Sequence, residues 1–581
     1  MTRLSAPCMV LVLLGVLLAG CLGASETDRD AGETAVVIER SEALFSLLPG
    51  ESVFYEASTD DTQLHMRLFR PDTADDTAWK APTILVMSPY FGPDSKEGAD
   101  RPAAEATMDP AARPAYWRYQ WLIDHFVARG YTVAFADVRG TGESGGCLEQ
   151  TAKAQTQDGY DTVQWLTTQE WSNGNVGMYG KSYDGETQQA TATLAPPGLV
   201  TIVPVSSVAG QYDYSYYDGV PYTFQTMLSN GFYIVGDGMQ PGSSKEAAMQ
   251  LPTRAGCNDE ILLQGADDSG DWNTFWEERE FRKQVDGVEA SVLYVHGLQD
   301  WNVKPNNIRD WYEHLDVPKV ALLGQWGHDY PEENRVHPDW SRQDWQELVW
   351  RWYDHWLLGL DTGVDAMLGE VQVQDTLGRW RVEAAFPPPA TPTRLWLGDD
   401  GLHANATSGT PRDYQEGRPD PLGASPDELP ALDALVYRTE ALTNDLHWSG
   451  WPELTINVSL DRDDAHFAVW LVDITPDGSE QWVNKAYLSA RHRDGVDAPN
   501  AVPIGETVTY DLRFFPGDTV IEAGHRLGLR IAPEDVWTSG SGNAHTATVH
   551  GGVLTLPVVT PGEERFRDYP MGDPITAPVT E

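Results

Sequence analysis

Basic residues are scarce in this chain. Lys and Arg number 40 against 87 Asp and Glu, for a formal net charge of −47. A nucleic-acid partner needs a basic face, and this composition excludes one. The acids are dispersed rather than blocked, the pattern of a solvated surface and not of an acidic tail. Such a surface fits either a saline medium, where salt screens self-repulsion, or an ordinary acidic exported protein. Cysteine is also rare, with four in 581 residues. Metal-type Cys/His spacings and internal repeats are both lacking, so no metal and no cofactor are expected. Past the N-terminal segment no apolar run is long enough to cross a membrane as a helix. What remains is a globular composition, 41% hydrophobic, in a chain long enough for two to four domains.

The first 21 residues read as a targeting segment, outside the fold. Arg3 is followed by an apolar run over 9–18, interrupted only by Gly15, and then by L-A-G-C. This resembles a lipoprotein signal, with cleavage before Cys21 and lipid on its thiol; the alternative is a simple secretory signal. Residues 22–40 are polar and small, as in a flexible tether. The expectation is an exported protein, held at a membrane only by its lipid or fully secreted. Cys8 leaves with the signal. Cys147 and Cys257 remain, to be read as a disulfide in an oxidising compartment or as two buried free thiols.

The first half alternates strand and helix. L-H-M-R-L-F (64–69) alternates like a half-buried strand, and T-I-L-V-M (83–87) is continuous like a strand covered on both faces. A helical pattern over 116–129 stops at Gly130, and 131–136 is another apolar strand. The glycine-rich stretch 137–146 lacks a G-K-S/T ending, so it reads as a loop over a site rather than a phosphate cradle. Helices are also expected over 158–168, 306–315 and 341–358, the last with Trp345, Trp352 and Trp356 on a core face. Residues 208–285, rich in aromatics and acids, interrupt the alternation and read as a helical cap. After P-P-P at 387–389 only short strands and turns follow. The expected fold is therefore an α/β domain over 41–362, a mostly parallel sheet with helices on both faces, then an all-β sandwich over 363–581.

V-G-M-Y-G-K-S-Y-D-G (176–185) has the layout strand, glycine-flanked serine, helix. This is the layout of a nucleophile elbow, although the second glycine comes one place late for G-x-S-x-G; the alternative is a glycine-rich strand-to-helix turn with a capping serine. Ser182 is followed by Asp300 and then His328, each just past the end of an apolar strand. Serine needs a histidine to take its proton and a carboxylate to orient the imidazole. Ser, Asp, His is also the chain order of an α/β-hydrolase triad. Asp329 beside the histidine and His296 beside the aspartate are alternatives, His296 being the more structural in setting. An oxyanion needs two donors. The Tyr183 N–H is one, and Tyr90, in the loop after an early strand, is placed to give the other.

G-K-S-Y-D-G, H-G-L-Q-D-W-N-V-K-P, G-Q-W-G-H and S-P-Y together resemble the X-prolyl dipeptidyl-peptidase and cocaine-esterase group of serine hydrolases. The resemblance spans about 45–560. It implies an α/β-hydrolase domain with a helical cap insertion, a C-terminal jelly-roll sandwich, and Ser182, Asp300 and His328 as the triad. It also implies that the Tyr90 hydroxyl pairs with the Tyr183 N–H. The expected substrate is an Xaa-Pro peptide or a small ester. The chain's length is closer to that of the esterases and α-amino-acid ester hydrolases than to the larger peptidases. A non-catalytic surface lipoprotein is the alternative of another class.

An exopeptidase must also read a free amine, and a buried ammonium needs an anion. The run Y-D-Y-S-Y-Y-D (212–218) offers Asp213 and Asp218 as carboxylates and Tyr212 and Tyr214 as walls.

Overall fold

Continuous apolar runs become strands buried on both faces. The computed structural model describes residues 38–91, 119–222, 269–407, 409–416, 434–538, 540–541 and 544–572. Its first sheet contains β1 (Glu51–Glu56), β2 (Gln63–Phe69), β3 (Ala81–Ser88), β4 (Thr132–Asp137), β5 (Ser172–Lys181) and β6 (Leu199–Val205). It continues with β7 (Ser291–Gly297), β8 (Lys319–Gly324), β9 (Val371–Gln374) and β10 (Trp380–Glu383). Among the described residues the spatial order is β1-β2-β4-β3-β5-β6-β7-β8-β9-β10. The pairs from β4 through β9 are parallel, and β1, β2 and β10 join antiparallel at the two edges.

Helices cover both faces: α1 (Gln120–Phe126), α2 (Lys153–Thr167), α3 (Tyr183–Ala192) and α4 (Trp345–Leu358). Side chains alternate across a strand, so successive residues of β3 enter different cores. Leu85 and Met87 face one, with Met178 and Ile202. Ile84 and Val86 face the other, with Trp345, Trp352 and Tyr353 of α4. Trp345 and Trp352 are therefore core, as expected. Their N–H groups are used inside: Trp352 donates to Thr201 Oγ1 at 2.7 Å.

The mostly parallel sheet with helices on both faces, expected from the strand–helix alternation, is present. One boundary differs in detail. Strands β9 and β10 lie beyond residue 363, in the stretch read as sandwich, yet both extend the first sheet. Arg381 on β10 explains the arrangement. It is fully buried and donates to Asp518 Oδ1 at 2.7 Å, tying this edge to the β-rich half.

The described parts of 208–285 are short helical turns, Gln211–Ser215 and Thr274–Glu277, with a small ribbon of Tyr216–Tyr217 against Val220–Pro221. Residues 223–268 of the expected cap lie outside the described residues. The C-terminal half is largely β. One sheet is built around the long strand Thr546–Val558, and a second contains Leu435–Arg438, Arg526–Ala532, His466–Ile474 and Glu480–Ser489. Both contribute to one core, Leu454, Ile456 and Leu554 from the first and Phe467, Val469 and Leu529 from the second. The strand Glu453–Leu460 shows why. Its residues alternate in burial, with Leu454, Ile456, Val458 and Leu460 all inward.

Candidate active site

The site lies where β5 turns into α3. Ser182 sits in that turn with φ 64° and ψ −128°. A side chain at positive φ is strained by about 1–3 kcal/mol and persists only where its surroundings enforce it. Gly180, at φ +150°, lies so close to Asp184 that a Cβ there would meet Asp184 Cβ at 2.5 Å. The late second glycine also has its reason: a Cβ on Gly185 would meet Ser207 Cβ at 2.8 Å and the Val205 carbonyl at 3.1 Å. Asp184 takes the position of the usual second glycine and is buried, accepting from the Tyr119 hydroxyl at 2.5 Å.

Asp300 and His328 follow the ends of β7 and β8. His328 Nδ1 lies 2.8 Å from Asp300 Oδ2. The other carboxylate oxygen accepts the N–H groups of Asn302 at 3.0 Å and Val303 at 2.8 Å. Burial pushes the Asp300 carboxyl up, but His328, His296 and the Val303 N–H together hold it below the usual carboxylate range. Both alternatives have other partners. Asp329 accepts from Arg335 Nε at 2.6 Å. His296 is fully buried between the Tyr294 hydroxyl and the Val303 carbonyl, and burial pushes its imidazole pKa down.

Ser182 and His328 line one cavity of about 390 Å³, together with Tyr90, Tyr183, Lys181 and Tyr214. That volume is in the range of about 300–1,000 Å³ usual for small-ligand pockets. Tyr90 and Tyr183 meet edge to face, ring centroids 6.3 Å apart. The Tyr183 hydroxyl donates to Gln155 Oε1 at 2.9 Å, while its backbone begins α3 beside Ser182.

Of the four residues read as amine and ring contacts, only Tyr214 lines the cavity. Tyr212 is buried, donates to the Gly270 carbonyl at 2.5 Å and packs against Tyr216 and Trp272. Asp213 pairs with Arg282 and accepts from Asn306 Nδ2 at 3.2 Å. Asp218 is exposed and not among the lining residues. The cause is the helical turn Gln211–Ser215, which spreads consecutive side chains around its axis. The loop 137–146 does not line the cavity either. It is tucked inward, with Arg139 buried against Asp158 at 2.6 Å.

A lining residue not expected from the sequence is Glu186, one turn into α3 and only 3% exposed. It accepts from Gln211 Nε2 at 2.5 Å and from the Thr151 hydroxyl. Burial pushes its carboxyl up to about 7, against the pull of those two hydrogen bonds. Among the described residues, no cluster of His, Cys, Asp and Glu could hold a metal ion. Cys147 is disulfide-bonded; Cys257 and Cys21 lie outside the described residues.

Comparison with known proteins gives a family likeness. Residues 60–330 match the family model of the X-Pro dipeptidyl-peptidases (S15 family). Residues 363–552 match that of the X-Pro dipeptidyl-peptidase C-terminal non-catalytic domain. An Xaa-Pro dipeptidyl-peptidase homologue of Bacillus cereus is 27% identical over 92% of this chain and 94% of its own length. A CocE/NonD family hydrolase from Staphylococcus aureus superposes with a TM-score of 0.69 at 17% identity, over 88% of this chain and 94% of that one. An α-amino acid ester hydrolase does so with 0.65 at 19% identity, over 91% and 100%. These two likenesses show the fold.

Proposed function

Because the chain belongs to the X-prolyl dipeptidyl-peptidase and cocaine-esterase-like group of serine hydrolases, we propose that it releases Xaa-Pro dipeptides from peptide N-termini. The observation that carries this reading is the 2.8 Å His328–Asp300 contact on the cavity that also holds Ser182.

In this mechanism Ser182 Oγ attacks the scissile carbonyl carbon as its proton passes to His328 Nε2. Asp300 holds the tautomer with Nδ1 protonated and stabilises the imidazolium. The oxyanion is met by the Tyr183 N–H and the Tyr90 hydroxyl. Collapse breaks the C–N bond, and His328 returns the proton to the leaving amine. A water then attacks the acyl-enzyme, giving its proton to His328, and the C–Oγ bond breaks to restore Ser182. Val208, Val303 and Tyr214 supply apolar lining for a proline ring.

Cleavage of a small ester is the second reading, favoured by the fold shared with an α-amino acid ester hydrolase. The same reading takes the β-rich half as a jelly roll and joins Cys147 to Cys257. It also cleaves the chain before Cys21, removing residues 1–20, with the lipid carried on the Cys21 that remains, which anchors an exported enzyme.

The test is Ser182→Ala. Turnover of Ala-Pro anilide and labelling by a fluorophosphonate should both vanish, with the melting curve kept. Losing a triad nucleophile costs on the order of 10⁶-fold. Near-normal turnover by the folded variant would reject the site.

A further inference from the structure

Glu186 is the buried carboxylate that the cavity's other features leave unexplained. Among the described residues no cation pairs with it. Both of its hydrogen bonds, from Gln211 and Thr151, fall on Oε1, so no bond from a described residue falls on Oε2. A carboxylate that stays ionised and unpaired in a buried site is costly unless a cation arrives. The cationic lining residues are committed elsewhere. Lys181 donates to the His328 carbonyl at 3.1 Å, and Arg335 bonds Asp329. The cavity thus has a cationic side beside His328 and an anionic side beside Gln211.

From this geometry we infer that Glu186 is the specificity residue that receives the substrate's α-ammonium group. The inference rests on the dipeptidyl-peptidase reading. It replaces Asp213 and Asp218, whose carboxylates do not line the cavity.

Reach supports it. Glu186 lies one turn from Ser182: its N–H donates to the Ser182 carbonyl at 2.9 Å, and both residues line the one cavity. Two extended residues span at most about 7 Å. With the scissile carbonyl at Ser182 Oγ, the amine of the second residue back falls within reach of the Glu186 carboxylate. A third residue would have nowhere to put its chain without displacing that contact. Glu186 therefore acts as a ruler for dipeptides, with the Tyr214 ring beside it adding cation–π attraction.

The experiment uses the full chain as wild type, Glu186→Gln and Glu186→Asp. Substrates are Ala-Pro p-nitroanilide, its N-acetyl form and p-nitrophenyl propionate. Wild type should prefer the free amine by about 10²-fold or more in kcat/KM. Glu186→Gln should bring that ratio close to one, with the loss on the free amine mainly in KM. Glu186→Asp should restore part of it. Fluorophosphonate labelling and melting curves establish that each variant is folded. If Glu186→Gln keeps the wild-type ratio, or loses both anilides equally, the inference is overturned and the peptidase reading stands. If wild type cleaves the ester but neither anilide, the peptidase reading falls and this inference falls with it.

Discussion

Lys181 Nζ donates to the backbone carbonyl of His328 at 3.1 Å. The residue before the candidate nucleophile therefore holds the loop that carries the candidate base. The ammonium also sits 4.8 Å from the centroid of the Tyr330 ring. Lys181→Met should lower kcat by roughly tenfold with KM little changed, because a small misplacement of the imidazole is enough to slow proton transfer. Steady-state kinetics on a small ester would check this. A change confined to KM would make Lys181 a substrate contact instead.

Tyr90→Phe removes one hydroxyl from the cavity wall and keeps the ring against Tyr183. If that hydroxyl donates to the oxyanion, kcat should fall by about 10²- to 10³-fold. Acylation measured in single turnover is the direct readout. An unchanged acylation rate would move the second donor to another group.

Gly185→Ala puts a Cβ 2.8 Å from Ser207 Cβ and 3.1 Å from the Val205 carbonyl. Neither neighbour is a flexible chain end, so α3 must shift. Overpacking of this kind costs about 1–3 kcal/mol. The variant should melt below wild type and label more slowly with a fluorophosphonate, since the same turn aims Ser182.

Glu186→Gln should raise stability at alkaline pH. Burial holds the folded carboxyl near 7, above its unfolded value of about 4.3. Ionisation therefore costs more in the folded state. The contribution of this group is intact below pH 4 and is lost as pH rises through 7. At about 1.4 kcal/mol per pH unit, that loss is on the order of 4 kcal/mol. Glutamine avoids it, so the variant should melt higher than wild type at pH 8, and the gap should close by pH 4. A melting gap independent of pH would mean that the carboxylate is not the strained group. The better-folded variant would also be the less selective one, the usual exchange at a binding site.

Much of this was legible because periodicity reports burial. The run T-I-L-V-M had to be covered on both faces, and β3 is. The elbow and the two strand ends at Asp300 and His328 were visible for the same reason: each candidate residue follows an apolar run that stops abruptly. Glu186 was not visible. It opens the polar run E-T-Q-Q-A-T, which reads as a solvated helix, yet every residue of α3 is buried. Those polar groups face inward to the backbone of the sheet. Thr187 donates to the Met87 carbonyl at 3.0 Å, and Gln188 to that of Gly180 at 3.2 Å. A hydrophobicity pattern cannot register a helix whose core contacts are hydrogen bonds. The tyrosine run misled for a related reason. Tyr212 and Tyr216 are four apart and stack on each other, so the aromatics serve packing and only Tyr214 reaches the cavity. Strands β9 and β10 are short and amphipathic, and nothing in their pattern says which sheet they will join.

The Arg381–Asp518 pair also has a consequence for synthesis. Its two halves are 137 positions apart, and both side chains are fully buried. Until the ribosome has delivered residue 518, the guanidinium on the edge of the first sheet has Glu383, two residues on, but lacks Asp518. The edge strand β10 should therefore be less firmly held while the chain is still short. Although the segments bearing Ser182, Asp300 and His328 emerge early, the edge of the sheet that carries them should be sealed only near the end of translation. Ribosome-bound chains stopped before that point should be open to proteases at the β9–β10 edge, and released full-length chains closed to them.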